Sequence, residues 1–140
     1  IVGIKDATGD LQTGLKLIED YGERLTVYSG EDGLSRELIL AGAGGTISVT
    51  ANVAPLLMSQ MCAAALAGDR TEAERLDGTL TALHETLFLE GNPVPVKWAL
   101  AKMGLISPTL RLPLVELSVR YYVQVSNALA AAGIEIDLDV

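Results

Sequence analysis

Three short apolar runs bounded by glycine or polar turns, each followed by a helical pattern, occupy residues 1–5, 26–29 and 46–50; no further strand is legible after them. Each run is rich in β-branched residues, as strands are. Between the first two, Leu11, Leu15 and Ile18 recur at helical spacing, with Asp10 as candidate N-cap and Gly22 as candidate stop. Residues 34–43 read as a second helix ending near Gly44. The order βαβαβ predicts parallel strands joined by right-handed crossovers. Three parallel strands leave both edges of a sheet without neighbours. A (β/α)8 barrel needs roughly 250 residues, and this chain has 140. The fold class is therefore α/β: a partial (β/α)8 TIM barrel comprising its last three βα units, strands six to eight, plus a C-terminal helical region. The division is expected at 1–68 for the barrel part and 69–140 for the helical region. The chain opens on Ile1, inside a strand pattern, so the sequence is expected to be a piece of a longer protein.

From Asn52 onward the pattern is helical. Asn52 is a candidate cap for a helix carrying Val53, Leu56, Leu57, Met61 and Ala64 and ending at Gly68. Thr71 and Glu74 have capping-box spacing, and open a helix with Ala73, Leu76, Leu80, Leu83 and Leu87 in steps of three and four. That seam spans too few heptads for a partner zipper and reads as core. Pro93 begins a helix through Met103, stopped by Gly104. A final helix carries Leu117, Tyr121, Val125, Ala128 and Ala132 and runs to Gly133; the acidic-apolar tail 134–140 has no clear pattern.

The net charge of −8 and the lack of a basic stripe argue against nucleic acid and anionic membranes as partners. No apolar stretch reaches the roughly 18 to 20 residues a bilayer requires. Cys62, the single cysteine, cannot form an intrachain disulfide and reads as a buried structural thiol, so the cytoplasm is the simplest compartment.

In a βα barrel the chemistry lies at the C-terminal ends of the strands and in the loops after them. Those positions here are 5–8, 29–32 and 48–52. Lys5 closes the first strand. A desolvated lysine amine attacks carbonyl carbon to give a Schiff base; from position alone, a solvated strand-end lysine is the plainer alternative. Gly30 is either a turn residue or a point where backbone closely approaches a ligand. The main chain near Ile47 could touch a substrate, although the alternation of Ile47 and Val49 with Ser48 and Thr50 reads Ile47 as core. Asp6, Asp10, Glu31 and Asp32 read as caps and solvated charges rather than an acid–base pair. His84 reads as a surface or internally satisfied histidine, Trp98 as packing, and Arg111 as a tie within the C-terminal region. No His/Cys/carboxylate group has metal-ligand spacing, and Gly42-Ala43-Gly44-Gly45 precedes a strand and so is no phosphate loop.

Five stretches together resemble one family: Gly3-Ile4-Lys5-Asp6-Ala7-Thr8-Gly9-Asp10; Ser29-Gly30-Glu31-Asp32; Gly45-Thr46-Ile47-Ser48-Val49-Thr50-Ala51-Asn52-Val53; Asn92-Pro93-Val94-Pro95-Val96-Lys97-Trp98; and Arg111-Leu112-Pro113-Leu114. The lysine motif resembles that of the pyruvate-dependent class I aldolases and lyases. The third and fourth stretches, with their Ser-Val-Thr-Ala-Asn and Asn-Pro-Val-Pro-Val-Lys segments, make the dihydrodipicolinate synthase family the nearest match, in order and spacing from Ile1 to about Gly133. The resemblance implies a barrel in which Lys5 ends the sixth strand and forms an imine with pyruvate. The derived enamine then condenses with aspartate semialdehyde to 4-hydroxy-tetrahydrodipicolinate, in lysine (diaminopimelate) biosynthesis, without metal or organic cofactor. It implies that Gly30 and the main chain at Ile47 line the pyruvate pocket, and that the complete protein is a homo-oligomer, usually a tetramer.

The family's proton-relay tyrosine and threonine, its second-substrate arginine and most of its lysine-feedback site come from earlier strands, which this sequence does not contain. Tyr21, Tyr28, Tyr121 and Tyr122 do not match the relay positions. Glu31 stands where aspartate is common, and Gly91 precedes Asn92. The chain by itself is accordingly expected to be inactive. A sister enzyme of the N-acetylneuraminate lyase or keto-deoxy sugar acid aldolase type, and a non-catalytic half-barrel module, remain as alternatives.

Overall fold

A computed structural model describes residues 1–136; residues 137–140 of the acidic-apolar tail lie outside the described residues. Three strands, β1 (Gly3–Asp6), β2 (Thr26–Ser29) and β3 (Gly45–Thr46), form one parallel sheet in the order β1-β2-β3. Lys5 stands beside Tyr28 and Asp6 beside Ser29; Tyr28 stands beside Gly45 and Ser29 beside Thr46. Residues side by side share a face. One face therefore carries Asp6, Val27 and Ser29, all buried, and the other carries Gly3, Lys5 and Tyr28.

Helices α1 (Leu11–Tyr21) and α2 (Ser35–Leu40) connect the strands and cover the buried face. Asp10 caps α1, accepting from the N–H of Gln12 at 3.3 Å and of Thr13 at 3.2 Å; the Thr13 hydroxyl, at 2.6 Å, is the main group holding its carboxyl below the usual range. A Cβ on Gly14 would run into Leu38 and come 3.2 Å from Asp6 Oδ2, so α1 packs onto α2 and the sheet only because that position has no side chain.

The third strand is shorter than the 46–50 run predicts. The carboxylate of Asp32 takes the N–H groups of Val49 and Thr50, at 3.0 and 2.8 Å, out of any ladder, and Val49 is already helical. A 3₁₀ turn, Thr50–Asn52, follows. Asn52 is thus not a helix cap. Helix α3 (Pro55–Leu66) begins three residues beyond it, after Ala54, with Pro55 at the first helical position where its missing N–H costs nothing. Gly68, with φ +75°, ends that helix. Asp69 then caps α4 (Arg70–Thr86) by accepting from Glu72 N–H at 3.1 Å, so the effective cap lies two residues before Thr71, directly after the glycine turn.

The apolar seam of α4 is core, as its spacing predicts: Ala73, Leu76, Leu80, Leu83 and Leu87 are all buried against α3 and against α6 (Tyr122–Ala131). Truncating one of these leucines to alanine would cost about 2 to 5 kcal/mol. Helix α5 (Val94–Lys102) ends at Gly104 and packs Trp98 on Tyr122, ring centroids 4.7 Å apart. The final helix starts later than its apolar spacing predicts. Ser118 is extended and a 3₁₀ turn, Val119–Tyr121, intervenes, so Leu117 is buried from the loop rather than from the helix.

Candidate active site

Hydrogen bonds along the three strand ends bring the predicted residues onto one open face. The N–H of Gly30 donates to the Asp6 carbonyl at 2.6 Å, and the N–H of Ile47 donates to the Ser29 carbonyl at 2.8 Å. These bonds extend the ladder one residue beyond each strand. Lys5, Gly30 and Ile47 therefore follow each other across the sheet, on the face that α1 and α2 leave uncovered. Lys5 is exposed, and its aliphatic stem crosses Gly30: a Cβ there would collide with Lys5 Cε and come 2.9 Å from Lys5 Cγ and 2.8 Å from Ala7 Cβ. The turn reading of Gly30 is insufficient, because its backbone is not left-handed and close approach is what requires glycine.

Ile47 is not core. It is 52% exposed, because the sheet ends at Thr46 and no helix among the described residues covers that face. Below it on the same face, the Tyr28 ring is bordered by glycines: a Cβ on Gly3 would lie 3.3 Å from its Cε2, and one on Gly45 would lie 3.7 Å from its Cδ1.

The loop after β2 is held by hydroxyls. Ser29 Oγ donates to the Glu31 carbonyl at 2.8 Å, Ser35 Oγ lies 2.8 Å from Thr46 Oγ1, and Thr46 Oγ1 donates to the Ser29 carbonyl at 3.2 Å. Two of the four acidic residues near this end depart from the solvated reading. Asp6 is buried and accepts from Thr8 N–H at 3.1 Å. Asp32 is 1% exposed and clamps Val49 and Thr50. Asp10 is the cap it was expected to be. Cys62 is half-buried, and burial together with the Asp32 charge pushes its thiol pKa up.

A buried polar chain behind this end escapes the sequence reading. His84 is 7% exposed; its Nδ1 lies 2.9 Å from Thr50 Oγ1 and its Nε2 lies 3.4 Å from Asp77 Oδ1. Asp77 Oδ2 accepts from Arg36 Nε at 3.0 Å. Burial opposes the Asp77 charge, yet the contacts with His84 and Arg36 outweigh it and hold its carboxyl below the usual range. The available signal was spacing: Asp77 and His84 are seven residues apart, hence on one face of a helix, beside the leucine seam. Arg111 is exposed, and its carbonyl, accepting from Leu114 N–H at 3.1 Å, makes the local tie. A separate cavity of about 410 Å³ lies between α5 and the C-terminal segment, lined by Trp98, Lys102, Glu116 and Tyr122 among others.

The model of the dihydrodipicolinate synthetase family matches residues 1–132. The 4-hydroxy-tetrahydrodipicolinate synthase of Thioalkalivibrio sulfidiphilus is 54% identical over 137 residues, covering 98% of this chain and 47% of the relative. That of Alkalilimnicola ehrlichii is 57% identical over 133 residues, covering 95% and 46%. Among solved structures, the chloride-inhibited dihydrodipicolinate synthase of Acinetobacter baumannii complexed with pyruvate superposes with a TM-score of 0.94 at 52% identity, covering 96% of this chain and 46% of that one. The enzyme from Aquifex aeolicus gives 0.91 at 33% identity, covering 97% and 46%. The chain spans about half the length of the curated relatives it matches, and its fold is the corresponding part of a (β/α)8 barrel with the C-terminal helices.

Proposed function

The chain belongs to the dihydrodipicolinate synthetase family, and on that premise we propose that it supplies the imine-forming lysine of a 4-hydroxy-tetrahydrodipicolinate synthase. The observation that carries the reading is the stem of Lys5 lying over Gly30 at the open strand ends, with the Ile47 main chain on the same face.

Lys5 Nζ attacks the keto carbon of pyruvate, and loss of water gives the imine. The imine draws electrons from the methyl carbon, which loses a proton and becomes an enamine. The enamine carbon attacks the aldehyde of aspartate semialdehyde. The amine of that substrate then displaces Lys5, closing the ring and freeing the lysine. Attack requires the free amine, and covering the open face with the remainder of a barrel withdraws water from around Nζ. Gly30 leaves room for the lysine stem, and the Ile47 main chain, its N–H held by the Ser29 carbonyl, lies beside the bound keto acid on the same face.

Residues 1–140 alone lack the relay tyrosine and threonine, so this chain by itself is inactive in the full reaction, while the complete barrel is a cytoplasmic homo-oligomer. The names of the curated relatives support aspartate semialdehyde as the acceptor over the sugar-acid acceptors of sister enzymes. Borohydride reduction of the complete protein with pyruvate, read by peptide mass spectrometry, tests the reading. A reduced pyruvate adduct on Lys5 is expected; a folded protein without one overturns it.

A further inference from the structure

Thr50 is held from two sides. Its N–H donates to Asp32 Oδ2 at 2.8 Å, and its hydroxyl lies 2.9 Å from His84 Nδ1. Asp77 is a carboxylate and can only accept, so the nitrogen facing it, Nε2, is the one that carries hydrogen when the ring is neutral; Nδ1 is then the acceptor for the Thr50 hydroxyl. At 3.4 Å the Nε2–Oδ1 contact is an electrostatic one rather than a well-formed hydrogen bond, and neither atom has a hydrogen-bond partner among the described residues. Arg36, on α2, anchors Asp77 in turn. Thr50 is fully buried and His84 nearly so, so water does not compete for these contacts.

The segment so fixed is the one that leaves β3. Between the Ile47 N–H, tied to Ser29, and the Thr50 clamp lie only Ser48 and Val49. Val49 N–H is held by Asp32 as well, so the short segment from Ile47 to Thr50 is fixed at both of its ends.

We propose that His84 is a positioning residue: through the Thr50 hydroxyl, with Asp77 and Arg36 behind it, it sets the orientation of the Ile47 main chain toward the keto acid bound at Lys5. This rests on the imine reading above. It gives the helical region an effect on substrate binding although none of its residues reaches the open face through this chain of contacts.

The test uses the complete protein, with steady-state kinetics in pyruvate and borohydride trapping over a pyruvate series. Thr50→Val keeps shape and the Asp32 contact but removes the hydroxyl. It is expected to raise KM for pyruvate about three- to tenfold, the equivalent of one lost hydrogen bond, with kcat within about twofold. Thr50→Ser is expected to restore the wild-type KM. A purely structural role would instead lower the active fraction, reducing kcat at unchanged KM. Should Thr50→Val not fold, two histidine variants decide. His84→Asn keeps an acceptor at the Nδ1 position and is expected to hold KM; His84→Gln keeps only the Nε2 position and is expected to raise it. Unchanged KM in Thr50→Val, or the same KM in both histidine variants, overturns the positioning role while the wild-type adduct on Lys5 stands. A wild-type protein that traps no pyruvate overturns the imine reading and this inference with it.

Discussion

The stem of Lys5 occupies the space in which a side chain at Gly30 would begin, so the two residues exclude one another sterically across neighbouring strands. Gly30→Ala is therefore expected to push the amine off its line rather than to unfold the protein, since the backbone there is not left-handed. The complete enzyme should lose roughly 100-fold in kcat/KM, with the melting temperature little changed. Stopped-assay kinetics with thermal melts on the same preparation checks both halves of the statement.

Replacing Lys5 by methionine or arginine removes the nucleophile. Trapping of pyruvate should vanish, and turnover should fall by roughly a thousandfold or more. Arginine is the sharper variant because it preserves the charge. An arginine enzyme that still turned over at an appreciable rate would show that the lysine acts as a cation and not as an amine.

Asp32→Asn weakens the acceptor of two backbone N–H groups in a buried setting. It should cost about 2 to 3 kcal/mol in chemical denaturation. It also removes one of the two causes that raise the Cys62 pKa. The rate of thiol labelling at pH 8 should rise above wild type yet stay below that of a small free thiol, because burial, the larger cause, remains.

Much of this site was legible in the sequence because strand ends and glycines leave local marks. The placement of Lys5, Gly30 and Ile47 at the strand ends follows from the order of strands, their grouping as a pyruvate site came from the family resemblance, and Asp10 and the α4 seam follow from spacing alone. Asp32 is misread because its role depends on distant partners: it finds its donors 17 and 18 residues along the chain, and local pattern assigns such a carboxylate to solvent. His84 is internally satisfied, one of the two readings its position allowed, but its partner Thr50, 34 residues away, leaves no local mark. The truncated third strand has the same cause, since a carboxylate from another loop captures the N–H groups that alternation assigns to a ladder. Ile47 looked apolar and hence buried, but among the described residues nothing covers that face.

The Asp77 carboxyl predicts a pH dependence. Its pKa is lower folded than unfolded, so the unfolded state binds the proton more readily. Its contribution is complete above the unfolded value of about 4 and is lost as pH falls through the lower folded value. Asp77→Asn should therefore be less stable than wild type at pH 7 by about 1 to 3 kcal/mol, and the two should converge as pH drops below about 4. Urea titrations at pH 7, 5 and 3 check it; a gap that widens toward acid would reverse the assignment.

The Tyr28 ring lies between Gly3 on one neighbouring strand and Gly45 on the other. A single aromatic thus paves three strands' width of floor between two positions that the backbone itself keeps bare. A Cβ on Gly3 would come 2.8 Å from the Thr26 carbonyl oxygen, and Gly45 has a φ of +148°, so a smaller residue at 28 leaves a void that neither glycine position can refill. Across homologous sequences both positions should therefore stay glycine whatever residue stands at 28.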